Sequence, residues 1–132
     1  MFLENDAIKT VRLSVSSPFH TTFLKKASEE FEKELLKVKF NYSSDVTVIS
    51  NVTAEKMDND NLVHLLSKQV MSSVLWEKSV RRMIDMGTEI FLEIGPGKSL
   101  TGFVKKIDRK ISVLNIENQE SFEKALKILG EV

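Results

Sequence analysis

Short apolar runs alternate with stretches of helical periodicity along this chain, and this alternation restricts the fold more than any other feature of the sequence. The runs are rich in β-branched residues, which favours strands that are buried on both faces. They cover residues 11–15, 46–49, 90–94 and 111–115. Because helical patterns separate these runs, the sequence predicts an α/β fold in which a parallel sheet is flanked by helices.

The intervening helices are predicted from apolar residues spaced three or four positions apart. The first, second and fourth are expected over residues 22–39, 61–70 and 99–107. The third carries Trp76 to Ile84 and ends at Gly87, and the last carries Phe122 to Leu129 and ends at Gly130. On the last two helices, Leu100, Phe103, Phe122 and Leu126 are among the residues expected to face the core.

Composition excludes several classes of function. The 132 residues include 19 basic and 19 acidic side chains, so the net charge of zero provides no overall attraction to nucleic acid or to an anionic membrane. There is no cysteine, and His20 and His64 are the only histidines, so no metal site is expected. No apolar run approaches the length of a membrane span, and we expect a soluble, cytoplasmic protein.

One histidine lies on a predicted strand-to-helix turn. Pro18 cannot donate a hydrogen bond to a sheet and favours an extended conformation at Ser17, so the strand must end just before His20. Thr21 or Thr22 is expected to cap the following helix. An imidazole held there is either a proton-transfer group or an ordinary turn residue, and local sequence leaves both alternatives open.

The segment from Gly95 to Ser99 reads Gly-Pro-Gly-Lys-Ser and follows a predicted strand. It resembles the end of a phosphate-binding loop, but Leu92 stands where that loop needs its first glycine, and Pro96 lacks an N–H donor. A tight turn is therefore favoured over a nucleotide site, although the helix that begins at Ser99 remains able to attract an anion.

Two further features have both a plain and a functional interpretation. Gln69 lies in the last turn of a predicted helix, where carbonyl groups lack helical partners and either fray or accept a hydrogen bond from elsewhere. A basic cluster surrounds the predicted helix at 99–107 and is either a solvated face or a surface for an acidic protein. Its members are Lys98, Lys105, Lys106 and Arg109.

Four segments, taken in order, resemble one enzyme family. They are Val15-Ser16-Ser17-Pro18-Phe19-His20-Thr21, Val48-Ile49-Ser50-Asn51-Val52, Gln69 with Trp76 after it, and the run from Phe91 to Gly102. Together they are similar to the C-terminal part of malonyl-CoA:acyl carrier protein transacylase, the acyltransferase of type II fatty acid synthesis. Polyketide synthase acyltransferase domains share the pattern.

The resemblance implies transfer of a malonyl group from coenzyme A to acyl carrier protein by a ping-pong mechanism. A serine in a Gly-His-Ser-x-Gly elbow attacks the thioester, and a histidine is its general base. The resemblance places that base at His20 and assigns its orientation to the main-chain carbonyl of Gln69. Phe19 and Asn51 are then expected at the substrate, where Phe19 favours malonyl over methylmalonyl. The basic cluster would dock the carrier protein, and no cofactor is expected beyond the coenzyme A thioester.

The sequence also departs from the family, because it has no Gly-x-Ser-x-Gly, no N-terminal Gly-Gln-Gly and no arginine assignable to the malonyl carboxylate. We therefore expect a fragment. Residues 1–15 would be the last strand of a missing small ferredoxin-like subdomain, and residues 16–132 the C-terminal part of the large α/β subdomain. Such a fragment should be inactive alone, and should pair with the missing N-terminal half or self-associate through exposed sheet surface. The alternatives are a non-catalytic module that binds acyl carrier protein and, more remotely, a phosphate-binding α/β domain.

Overall fold

The structure, a computed structural model, describes residues 17–41 and 45–130. Within them a 3₁₀ helix at Thr22–Leu24 leads directly into the first α-helix. The α-helices are α1 (Lys25–Leu35), α2 (Leu62–Gln69), α3 (Trp76–Asp85), α4 (Ser99–Ile107) and α5 (Gln119–Gly130). The strands are β1 (Ile90–Ile94) and β2 (Ser112–Ile116). The predicted strand at 11–15 lies outside the described residues.

The two strands form a parallel pair in which Ile90 lies opposite Ser112 and Ile94 opposite Ile116. A parallel pair needs a crossover connection, and α4 provides it. Both α4 and α5 pack against β2, with Val104 and Ala125 buried at these contacts. The predicted fold class, a parallel sheet with flanking helices, is therefore confirmed.

Helices α1 and α2 form a second packed group, which α3 connects to the strands through its contact with α4. Leu35 of α1 and Leu65 of α2 are buried. Between the two helices, the buried Ser28 hydroxyl donates a 2.6 Å hydrogen bond to the carbonyl of Ser67. This bond joins α1 to the end of α2 that carries Gln69.

The strand predicted at residues 46–49 was wrong for the described part of the chain. Val46 is 61% exposed and Val48 43% exposed, and Ile49 forms only an isolated antiparallel bridge with Lys56. The chain turns back on itself, with the amide of Met57 donating to the carbonyl of Val48 at 2.8 Å. A β-branched run needs a neighbouring strand on which to pair, and no described strand pairs with this one.

Two helix predictions also need correction. The first α-helix ends at Leu35 rather than at residue 39, and Leu36 and Val38, which lie beyond its end, are exposed and so provide no packing to extend it. Thr21 precedes the first helical turn, yet its hydroxyl donates to the carbonyl of Pro18 at 2.7 Å instead of accepting from a helix amide.

Much of the predicted core is open to solvent on its outer side. Phe23 is 86% exposed and Ile94 79% exposed. The inward positions predicted on the last two helices are wrong for Leu100, Phe103, Phe122 and Leu126, which are all exposed. These helices therefore bury one narrow stripe against the strands, and the rest of their apolar surface is uncovered.

Candidate active site

His20 lies on a sharp turn that the backbone of another segment holds in place. Its φ is +62°, in the left-handed region, which a non-glycine residue adopts only at some cost in energy. The His20 amide donates to the carbonyl of Val70 at 3.1 Å. This long-range bond fixes the turn against the segment that follows α2.

The His20 side chain is held by the same segment. Nδ1 lies 3.1 Å from the carbonyl oxygen of Gln69 and 3.0 Å from that of Ser72. Because carbonyl oxygens only accept, Nδ1 must carry the proton that both acceptors share. In the neutral ring Nε2 then keeps its lone pair, and it makes no hydrogen bond within residues 17–41 and 45–130. The predicted contact of His20 with the Gln69 carbonyl is confirmed, whereas the second acceptor, Ser72, was missed.

The carbonyl groups of residues 68–70, at the end of α2, all accept hydrogen bonds. Those of Gln69 and Val70 accept from His20, and that of Lys68 accepts from the amides of Met71 and Ser72. Helix ends leave such carbonyls without helical partners, so this end is available to hold a distant side chain. The interpretation of Gln69 as an ordinary frayed end is therefore wrong.

Asn51 lies beside this contact, as predicted. Its side-chain amide donates to Oε1 of Gln69 at 3.3 Å, and its carbonyl accepts from the amide of Leu75 at 2.8 Å. Phe19, by contrast, projects its ring into solvent and is 63% exposed. The structure thus joins His20, Gln69 and Asn51 through hydrogen bonds, and adds Phe19 only as the sequence neighbour of His20.

Two carboxylates of the chain itself occupy the Gly95–Ser99 turn and the start of α4. The carboxylate of Glu93 accepts from the amides of Leu100 and Thr101, at 3.1 and 2.7 Å, and from the Thr101 hydroxyl at 2.6 Å. Glu117 accepts from the amide of Gly97 at 3.1 Å. The Thr101 hydroxyl bond, followed by the Thr101 amide, lowers the pKa of Glu93. These amides already have an anionic partner, which argues against a phosphate site at this turn.

The predicted basic cluster divides into different environments. The ammonium group of Lys105 donates to the carbonyls of Ile111 and Arg109, at 2.6 and 3.3 Å, and so closes the loop after α4. Lys106 stands over the Phe103 ring, 5.9 Å from its centre. Lys98 and Arg109 are exposed. Lys105 therefore has a structural task that the sequence analysis missed, while the other three remain free to meet a partner.

The second histidine lies away from this site. His64 is on the surface, with Nδ1 3.4 Å from the carboxylate of Glu32. Among the described residues, no cluster of three or more His, Asp or Glu side chains is placed to bind a metal ion. Within that same part of the chain, no helix has the length and hydropathy that a membrane span requires.

Comparison with known proteins gives this geometry its context. No protein-family model matches the chain. A malonyl CoA-acyl carrier protein transacylase from Bacillus subtilis is 39% identical over 129 residues, which cover 97% of this chain and 40% of that relative. This chain is homologous to part of these transacylases. The resemblance predicted from the four segments is thereby confirmed.

Solved structures of transacylases show the same similarity. The crystal structure of a malonyl CoA-acyl carrier protein transacylase from Clostridium perfringens is 44% identical, with a TM-score of 0.85, over 92% of this chain and 38% of that protein. A malonyl-transacylase solved in complex with its type II PKS acyl-carrier protein is 28% identical, with a TM-score of 0.89, over 96% of this chain and 41% of its own length. The chain thus spans about 40% of the relatives it matches, which is consistent with the predicted C-terminal part of the fold.

Proposed function

We propose that this chain provides the histidine general base of a malonyl-CoA:acyl carrier protein transacylase. One observation carries the proposal: two main-chain carbonyls hold Nδ1 of His20, so that Nε2 has a fixed direction and an available lone pair. In a nucleophile–base–orienter arrangement the third group is usually a carboxylate, and here the two carbonyls replace it. The homology to named transacylases supports the same role.

The proposed chemistry moves one proton through Nε2. A serine hydroxyl attacks the carbonyl carbon of the malonyl thioester while Nε2 accepts the hydroxyl proton. The carbon–sulfur bond then breaks, and the thiol of coenzyme A leaves with the proton from Nε2. In the second half-reaction the thiol of the carrier protein gives its proton to Nε2 and attacks the serine ester. Breakdown of that intermediate returns the proton to the serine.

The serine would come from the part of the fold that this chain does not span. The sequence holds no Gly-x-Ser-x-Gly, and the chain covers 40% of the Bacillus subtilis relative. The exposed apolar residues Phe23 and Ile94 support such an arrangement, because they offer a surface for the remaining part. Self-association through this surface is the competing outcome.

Substrate and partner follow from the same proposal. A malonyl-transacylase has been solved with its acyl-carrier protein, so we propose a carrier protein as the acceptor here. Lys98, Lys106 and Arg109 would attract its acidic surface, and Phe19 would favour malonyl through the bulk of its ring. The transfer needs no cofactor besides the coenzyme A thioester. The cytoplasmic location stays a prediction.

A chimaera tests the base directly. This chain would replace the matching 129 residues of the Bacillus subtilis relative, and malonyl transfer to acyl carrier protein would be measured. His20→Ala should lower kcat by about 10²–10⁴-fold, the usual contribution of a general base. His64→Ala is the matched control, since His64 is exposed and lies outside the site, and its activity should equal that of the parent chimaera.

The isolated chain is the second arm of the experiment. Incubated with malonyl-CoA, it should show no malonyl adduct by intact mass, because the sequence lacks the nucleophilic elbow. A stoichiometric adduct would show that a nucleophile had been missed. A folded chimaera that binds carrier protein but transfers nothing would favour the alternative, a non-catalytic carrier-binding module. Equal activity of the His20→Ala and His64→Ala chimaeras would refute the assignment of the base.

A further inference from the structure

The segment that orients His20 has little regular structure of its own. Residues 70–75 lie between α2 and α3 as turns and irregular chain, yet this segment and Gln69 before it supply both carbonyls that accept from Nδ1. Carbonyls on irregular backbone hold a ring precisely only if other contacts restrict the backbone. The direction of Nε2 therefore depends on the contacts that hold residues 69–75 in place. Some of these contacts come from His20, and others come from elsewhere in the chain.

Asn51 contacts the segment at both of its ends. At the start, its side-chain amide donates to Oε1 of Gln69 at 3.3 Å. At the far end, its main-chain carbonyl accepts from the amide of Leu75 at 2.8 Å. The two contacts of Asn51 thus lie at the two ends of residues 69–75. Gln69, whose carbonyl accepts from His20, is at the first contact, and Ser72, whose carbonyl also accepts from His20, lies between the two.

Asn51 itself is held on a tight and buried turn. The buried Ser50 exchanges main-chain hydrogen bonds with its own turn, donating to Glu55 at 2.9 Å and accepting from Ala54 at 2.8 Å. Its hydroxyl also accepts from the amide of Val52 at 3.1 Å. Because this turn is closed by its own bonds, it provides a fixed base from which Asn51 can hold the neighbouring loop.

We propose that Asn51 is a positioning residue for His20, which acts by holding Gln69 and the loop after it so that their carbonyls keep the proton on Nδ1. The proposal rests on the proposed function, in which Nε2 must be the free base. In this proposal Asn51 acts on His20 through Gln69, in place of the direct contact with substrate that the family resemblance implied.

The tautomer of His20 is the direct measurement, and the chain as it exists is sufficient for it. The chain has only two histidines, so long-range ¹H–¹⁵N spectra of the imidazoles at about pH 8, where free histidine is neutral, contain two spin systems. His64→Gln assigns them. In the wild-type chain His20 should be mainly Nδ1–H. Asn51→Ala should raise the ratio of Nε2–H to Nδ1–H about threefold, the effect expected from losing one modest hydrogen bond.

Three further variants make the test specific. Gln69→Ala removes the other side chain of the pair and keeps the carbonyl, so it should match Asn51→Ala, and the double variant should add nothing further. Asn59→Ala is the matched control, because Asn59 is exposed and its side chain makes no hydrogen bond in the described chain. A purely structural role would lower the thermal midpoint of Asn51→Ala without changing the tautomer ratio.

Each result has a distinct meaning. An unchanged ratio in Asn51→Ala, or effects of Asn51→Ala and Gln69→Ala that add, would overturn the proposal for Asn51. A wild-type His20 in the Nε2–H form would instead contradict the proposed function itself. A wild-type Nδ1–H form that only Asn51→Ala and Gln69→Ala disturb would support both.

Discussion

Replacing the buried Ser28 by alanine should destabilise the fold by a measurable and limited amount. The Ser28 hydroxyl donates to the Ser67 carbonyl at 2.6 Å, and without it that carbonyl keeps only a 3.3 Å bond from the amide of Val70. Losing one hydrogen bond and leaving a buried acceptor poorly satisfied costs about 1.5 kcal/mol. Alanine recovers about 0.5 kcal/mol through its higher helix propensity. The expected net loss in the free energy of unfolding is about 1 kcal/mol.

The same structure offers a buried serine as a matched control. Ser79 of α3 is as buried as Ser28, but its hydroxyl has no hydrogen-bond partner in the described chain. For a chain of this length, an unfolding entropy of about 0.28 kcal/mol per kelvin converts 1 kcal/mol into about 4 °C. Ser28→Ala should therefore lower the thermal midpoint by about 4 °C, whereas Ser79→Ala should raise it by about 2 °C.

Differential scanning calorimetry of the three chains at neutral pH is the assay, supported by urea unfolding. Equal shifts for the two variants would refute the reasoning, because both lose the same atom from an equally buried helical position. A stabilised Ser28→Ala would show that the bond to Ser67 contributes less than helix propensity. Ser28 also joins α1 to the end of α2, so its loss should loosen the segment that holds His20.

The other predictions concern pH and docking. The Thr101 hydroxyl lowers the pKa of Glu93, so this carboxylate stabilises the fold above its ordinary pKa of 4.5, and the stabilisation is lost as the pH falls through the lower folded pKa. In Thr101→Val the free energy of unfolding should consequently fall less between about pH 6 and pH 3 than in the wild type, and equal slopes in urea titrations would contradict this. In the chimaera, Lys98→Glu, Lys106→Glu and Arg109→Glu should raise the KM for carrier protein and do so less at high salt, whereas Lys105→Glu should lower the thermal midpoint through its lost bond to Ile111. A KM that charge reversal leaves unchanged at low salt would argue against this docking surface.

The local sequence pattern was sufficient to predict most of the helices and strands. The spacing of apolar residues predicted α2 to α5 and both described strands, with boundaries within one or two residues for most of them. It failed at residues 46–49, where a strand-like composition lacks a described strand on which to pair. Pairing depends on distant backbone, and neither composition nor periodicity contains that information.

The candidate site was only partly accessible from sequence. Pro18 and the helix behind it predicted the turn at His20, but the partner, 49 positions away, came from the resemblance to a family. The carbonyl of Ser72 left no signal, because any residue supplies a carbonyl. Glu93 did leave one, because it is a charged residue within the otherwise apolar strand β1, and its carboxylate accepts from the Thr101 hydroxyl.

The left-handed backbone of His20 has a consequence for anyone engineering this chain. At φ +62° a residue with a β-carbon costs about 1 kcal/mol or more relative to glycine. His20→Gly would relieve this strain but would lose the hydrogen bonds from the imidazole to Gln69 and Ser72, so a screen that selects only for heat resistance rewards the change only where the strain outweighs those bonds. Position 20 should be left out of such libraries, because the residue with this strained backbone conformation carries the side chain on which the proposed chemistry depends.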